Sequence, residues 1–284
     1  MPSSLNPPDL SKPLIISAAL VGSWPTKAQN PGVPISEEEI SAAAIECAEA
    51  GAAIVHIHVR DDDGRVTGDL DRYARVQRLI RESGSDVVIN LSTSGGVGRA
   101  TDDQRVGIAA LRPDIASFDA GSLNFGQTVF LNPPAFLDRL VDELANHRVK
   151  PEIECFEPGH VANALRLIDE GRLTAPFWFQ FVLGVRGGSP GTPKQLLHML
   201  EMIPDGALWS VCGIGRAQLP LGLTAIAMGG HVRTGFEDNL FFHKGELATS
   251  NAQLVARLVR IAAEIGRPVA SPSAARELLG IQAG

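Results

Sequence analysis

Cysteine, tyrosine and long apolar runs are all scarce in this chain of 284 residues, and basic charge is in deficit. Its three cysteines, Cys47, Cys155 and Cys212, are widely spaced and odd in number. That excludes a disulfide framework or a paired-thiol redox motif and predicts reduced thiols. No apolar stretch approaches the ~18 residues that a membrane-spanning helix needs. Lysine and arginine total 25 against 32 acidic residues, a net charge of -7, so nucleic-acid binding has no electrostatic support. The first thirteen residues, MPSSLNPPDLSKP, carry one lysine and no apolar core, so they do not read as a secretory signal. The chain also lacks sequence repeats, low-complexity segments and an obvious linker. These absences predict a cytoplasmic protein with neither a nucleic-acid nor a membrane partner.

What is present is an ordinary globular balance, 44% hydrophobic and 20% charged. Short apolar, β-branched runs recur at 14–20, 53–59, 86–91, 114–118, 150–155, 176–183, 207–212 and 230–233, with amphipathic stretches between them. The clearest helix is 36–50, with Ser36 as N-cap, Glu39 completing a capping box and Gly51 stopping it. Residues 249–266 and the following SPSAARELLG read as a long helix and a short terminal one, available to pack on a neighbouring subunit. Strands that are apolar throughout suit a parallel sheet buried on both faces. Eight strand–helix units without a break in composition predict an α/β chain, a (β/α)8 TIM barrel, with an open doubly wound sheet as the main competitor. One domain is expected over 1–284, with a short extended N-terminal segment and a C-terminal helical tail. Phe177, Trp178, Phe179 and Phe181 are expected to fill the barrel and the helix–sheet layer rather than to form a stacking platform.

A barrel carries its chemistry at the C-terminal ends of its strands, and polar residues collect there. His56, His58, Arg60 and Asp61 end the second strand; Ser92, Thr93, Ser94, Gly95 and Gly96 follow the third. Ser117 and Asp119 end the fourth, Glu152 and Glu154 lie on the fifth, and Arg233, Glu237 and Asp238 follow the eighth. Two histidines two apart on a strand leave the same face, which suits two nitrogen ligands on one metal. The competing reading is a hydrogen-bonded pair in a polar barrel layer. One carboxylate would complete a two-histidine, one-carboxylate set with open coordination positions. Spacing alone leaves Glu237, Asp238 and Glu154 as candidates. Among the glycine-rich turns, GIGR at 213–216 is the best phosphate site, because it follows strand 7 and Arg216 adds charge. None of the turns has dinucleotide-binding spacing.

Taken together, HIHVRDDDGR (56–65), INLSTSGG (89–96), SFDAGSLNFG (117–126), PEIECFE (151–157), FVLGVRGG (181–188), GHVRTGFEDN (230–239) and SNAQLVARLVRIAAEIGRPVAS (250–271) resemble the β-keto acid cleavage enzymes. The likeness runs from about residue 13 to 280, in order. That family comprises zinc-dependent TIM-barrel acyltransferases and includes the 3-keto-5-aminohexanoate cleavage enzymes. The resemblance implies that a β-keto acid and acetyl-CoA give acetoacetate and the acyl-CoA of the shortened acid, in a homotetramer. It implies His56, His58 and Glu237 as ligands of Zn2+ or a similar divalent metal, and Asp238 as the catalytic acidic residue with Arg233 as partner. It implies a substrate-holding serine at Ser92, beside Thr93, Gly95 and Gly96, a hydroxyl at Ser117 and a strand-5 glutamate at Glu154. Arg216 is the candidate contact to CoA.

Two positions depart from the aminohexanoate branch. Trp24 stands where that branch has a glutamate suited to an ammonium group, and Asp119 stands where an asparagine is usual. Loss of that carboxylate implies a substrate with a neutral or apolar tail. The alternative is that Trp24 packs outside the pocket. Two other functions fit the residues: a zinc-dependent aldolase or hydrolase that needs no CoA, and a non-catalytic metal-binding barrel. The last requires a closed set of four ligands, whereas three are found here.

Overall fold

The computed structural model describes residues 8–281. The first seven residues of the expected N-terminal segment therefore lie outside the described residues. Eight parallel strands close into a barrel: β1 (Ile16–Ala19), β2 (Ile54–Ile57), β3 (Val88–Leu91), β4 (Ile115–Asp119), β5 (Lys150–Cys155), β6 (Trp178–Leu183), β7 (Leu208–Gly213) and β8 (His231–Thr234). β1 pairs with both β8 and β2, which closes the ring. The open doubly wound sheet is thereby excluded. Helices alternate with the strands: α1 (Glu37–Glu49), α2 (Leu70–Glu82), α3 (Asp102–Gly107), α4 (Pro134–Asn146), α5 (Pro158–Asp169), α6 (Pro193–Leu200), α7 (Gln218–Ala227) and α8 (Asn251–Glu264). No helix among the described residues is long and apolar enough to cross a membrane.

Local chemistry sets these boundaries. The Ser36 hydroxyl accepts from the Glu39 amide while the Glu39 carboxylate accepts from the Ser36 amide, and α1 ends before Gly51, whose φ is 108°. One face of the strands packs on the helices, and the apolar residues of both layers form a continuous core. Phe179 and Phe181 are fully buried in it, Phe177 packs against it, and Trp178 is fully buried in a second cluster at the N-terminal end of the strands, as expected of fillers.

One strand differs from the sequence reading, and the expected terminal helix takes a definite seat. The run 53–59 does not continue as one strand: β2 ends at Ile57, and Val59–Arg60 pairs antiparallel with Val66–Thr67. The Asp61 carboxylate accepts from the amides of Asp63 and Arg65, folding the chain back before it enters α2. Comparable hairpins, Leu123–Phe125 with Thr128–Phe130 and Phe241–His243 with Glu246–Leu247, sit in the loops after β4 and β8. The terminal helix α9 (Pro272–Leu279) packs on its own barrel. Ala275 and Leu279 are buried with Ile15, Ile54, Val88, Ile115 and Trp178, capping the N-terminal end of the strands. Burying a leucine there is worth about 2 kcal/mol, which helps hold the tail on the barrel.

Candidate active site

At the opposite end, His56 on β2 and His58 just beyond it are both buried and face the axis. Glu237 reaches them from the loop after β8: its carboxylate oxygens lie 3.3 Å from His58 Nε2 and 3.8 Å from His56 Nε2. The ligand atoms of the three lie within 4.8 Å of one another. His56, Glu152 and Glu154 form a second such group. Glu152, however, already accepts from Asn90 Nδ2 at 2.6 Å and Trp178 Nε1 at 2.8 Å, so its oxygens are occupied. The geometry therefore favours Glu237 among the carboxylates that spacing left open.

Arg233 organises the acidic side. Its Nε and NH2 form a two-pronged contact with Asp238, both at 3.0 Å; NH2 also lies 2.7 Å from Glu237 and NH1 3.3 Å from Glu154. Burial opposes its charge, but Asp238 and Glu237 raise its pKa well above the usual value. Burial opposes ionisation of Glu237 as well, yet Arg233, His58 and His56 hold its carboxyl well below the usual range. For Asp238 burial wins: its pKa is raised although Arg233 pulls it back. Burial raises the carboxyls of both Asp119 and Glu154, and the neighbouring Asp119 raises Glu154 further. Burial, reinforced by Arg233, lowers His56 well below its ordinary value, so the imidazole is neutral with a lone pair to offer. Of these buried or nearly buried carboxyl groups, Glu237 is the one held firmly ionised. A fixed carboxylate beside convergent nitrogen lone pairs fits a divalent cation held by His56, His58 and Glu237.

These groups floor a cavity of about 630 Å³. Ser92, Ser117, Asp119, Glu154, Arg233 and Asp238 line it, and Trp24 borders it from the rim, 61% exposed and stacked on Phe125 at 6.2 Å. Trp24 therefore does not pack outside the pocket. The upper wall is apolar, from Phe125, Phe130, Phe156, Val182 and Ile214 among others. Thr93, Gly95, Gly96 and Arg216 do not line the cavity. Thr93 instead ties the loop to β4, its amide donating to Ser117 Oγ at 3.0 Å and its hydroxyl to the Ser117 carbonyl at 2.8 Å. Arg216 is exposed in the single turn after β7. Ser94, one of the polar residues after the third strand, lines the cavity, as does the exposed Arg186, which spacing gave no reason to select.

Two glycines that the sequence reading did not single out position Glu237 and the turn that carries it. Gly235 has φ 138°, and a Cβ there would lie 2.1 Å from the Ala19 carbonyl oxygen, so only glycine admits the turn that presents Glu237 and Asp238. At Gly22 a Cβ would lie 2.3 Å from Glu237 Cγ, and the Gly22 amide donates to that carboxylate at 3.4 Å. Gly22→Ala is expected to displace Glu237 and weaken divalent-metal affinity by tenfold or more. Metal titration against a chromophoric chelator checks this, and unchanged affinity would show that Glu237 is not a ligand.

A model of the beta-keto acid cleavage enzyme family matches residues 13–281. The chain belongs to that family. This family member is 43% identical over 269 residues to the 3-keto-5-aminohexanoate cleavage enzyme of Acetoanaerobium sticklandii, covering 94% of this chain and 98% of that one. It is 40% identical over 277 residues to the 3-oxoadipate:acetyl-CoA acetyltransferase of Cupriavidus necator, covering 96% of each. The apo structure of ObcA superposes with a TM-score of 0.79 at 22% identity, over 88% of this chain and 66% of that one, a likeness of fold. As a β-keto acid cleavage enzyme the chain is a catalyst, which disposes of the non-catalytic barrel.

Proposed function

We propose that this enzyme converts a β-keto acid and acetyl-CoA into acetoacetate and the acyl-CoA of the shortened acid, with zinc or a similar divalent ion on His56, His58 and Glu237. The observation that carries the reading is the meeting of those three side chains with the Arg233–Asp238 pair on one cavity floor, in a chain of this family. The acetyl-CoA in the name of the Cupriavidus relative supports the co-substrate.

The residues divide the work by position. A divalent metal held by His56, His58 and Glu237 would supply Lewis acidity to the substrate when bound. Asp238 takes a proton from C2, the acidic carbon between ketone and carboxylate; its raised pKa strengthens it as a base. The C2 carbanion adds to the thioester carbonyl, and CoA thiolate leaves. The thiolate then adds to the original ketone, the C2–C3 bond breaks, and C2 recovers its proton from Asp238. Each addition puts negative charge on an oxygen, toward which Ser92 and Ser117 can donate. Arg233 holds the Asp238 carboxylate by both oxygens and so fixes the direction of proton transfer.

For the substrate tail, the apolar wall and Trp24 favour a neutral or aliphatic group. A desolvated ammonium lacking a partner costs at least ~2 kcal/mol, about thirtyfold. Acids with neutral tails should therefore surpass 3-keto-5-aminohexanoate in kcat/KM by about that factor, and Trp24→Glu should narrow the gap. A panel of β-keto acids of varied tail charge, assayed with acetyl-CoA, tests this. Equal or better rates with the amino acid substrate would transfer the ammonium to Asp119 or Glu154. The proposal extends to a single-domain chain that works in the cytoplasm as a homotetramer, which light scattering after size exclusion would check.

A further inference from the structure

Beyond the rim of the reaction cavity lies a second one of about 240 Å³, and Ser23, Trp24 and Val97 line both. Three arginines face the smaller cavity, Arg60, Arg65 and Arg99, and among the described residues no acidic side chain lines it. In a chain of net charge -7 that is a local reversal of sign.

The arginines are held in different ways. Arg60 is 3% exposed; its guanidinium donates to the carbonyls of Gly22, Pro25 and Gly64, and its Nε is buried without a partner. Neutral carbonyls, with no direct carboxylate contact, fix its direction, and Glu237 and Asp61 act on its charge only from a distance, so part of its field reaches whatever enters. The Val59–Thr67 hairpin brings Arg65 to the same cavity, where its one ion pair is with Asp63, both half-exposed or more and weakly held. Arg99 arrives from the loop after β3, exposed and paired with no carboxylate among the described residues.

We propose that this arginine-lined cavity binds phosphate groups of the CoA thioester, with the shared wall of Ser23, Trp24 and Val97 leading the pantetheine arm into the reaction cavity. The inference rests on the acyl-transfer reading and replaces Arg216 as the contact to CoA. Its chemistry is that of charge-assisted contacts between guanidinium groups and phosphate oxygens. Two of the three cations have free access, so the subsite can fill and empty with each turnover, while Arg60 supplies a permanent field from below. A carboxylate at the end of a keto acid tail shares this chemistry, and the experiment separates the two sources.

The test is the double variant Arg65→Gln/Arg99→Gln, assayed with acetyl-CoA and with acetylpantetheine, which carries the same thioester and no phosphate. The KM for acetyl-CoA should rise about tenfold, the sum of two partly exposed charge contacts. The KM for acetylpantetheine and that for the keto acid should move less than twofold. Three results would overturn the assignment: an acetyl-CoA KM within twofold of wild type, equal increases for both thioesters, or a change confined to the keto acid. The last would assign the cavity to a carboxylate tail. Wild-type protein that forms no acyl-CoA from any acid would instead overturn the acyl-transfer reading. Calorimetric titration with CoA itself then decides the cavity without turnover, since equal affinity of wild type and variant contradicts it and a tenfold loss supports it.

Discussion

Replacing Asp238 by asparagine lowers kcat by roughly a hundredfold or more, the usual weight of a positioned acid–base group, while metal content stays at the wild-type level. The amide keeps the size of the carboxylate and one of its acceptor oxygens, so Arg233 retains one prong of its two-pronged contact. It cannot take a proton from carbon. Exchange of the C2 hydrogens of the keto acid with deuterated solvent should therefore slow in parallel with turnover, a readout that a purely structural pair would not move. If Arg233–Asp238 were only an ion pair, the variant would lose stability and keep its rate, because breaking one side of a buried pair strands the other charge. Turnover at the wild-type rate would make Asp238 a spectator.

The largest expected loss is that of the metal. Wild-type protein should contain about one zinc or similar divalent ion per chain, and His56→Ala or His58→Ala should reduce this to near zero together with activity. Both imidazoles are buried and approach the Glu237 carboxylate to within 4 Å, at 3.8 and 3.3 Å. Two remaining ligands cannot hold the ion against water. Elemental analysis of the purified variants decides the matter independently of any assay. Full occupancy in both would remove this ligand set and leave His56 and His58 as a hydrogen-bonded pair in a polar barrel layer.

Much of this was legible in the sequence because the determinants are local or periodic. The capping box at Ser36 and the buried strands are written into consecutive residues. The two histidines declared a shared face through the two-residue period of a strand. The choice of Glu237 over Asp238 and Glu154 was not local, since it depends on a positive-φ glycine at 235 and a missing Cβ at Gly22, 215 positions away in the chain. The hairpin at 123–130 had a signal that went unread, the alternation of SLNF and TVF about Gly126, and it supplies Phe125 and Phe130 to the cavity wall. Arg216 drew attention through its glycine-rich turn, yet it is exposed and lines neither cavity. Thr93, Gly95 and Gly96 sit in a polar stretch of the rim, but their side of the loop faces neighbouring backbone and apolar side chains instead. Cβ atoms at 95 and 96 would strike Ala100 and Val66.

The central claim is acyl exchange. The most direct measurement is mass spectrometry of the products formed from an unlabelled β-keto acid and acetyl-CoA carrying carbon-13 in both acetyl carbons. The account predicts acetoacetate with both labelled carbons and an unlabelled acyl-CoA one acetate unit shorter than the keto acid, in equal amounts. Cleavage of the acid with no new acyl-CoA, or label appearing in the acyl-CoA, would contradict it and favour an aldolase or hydrolase on the same barrel.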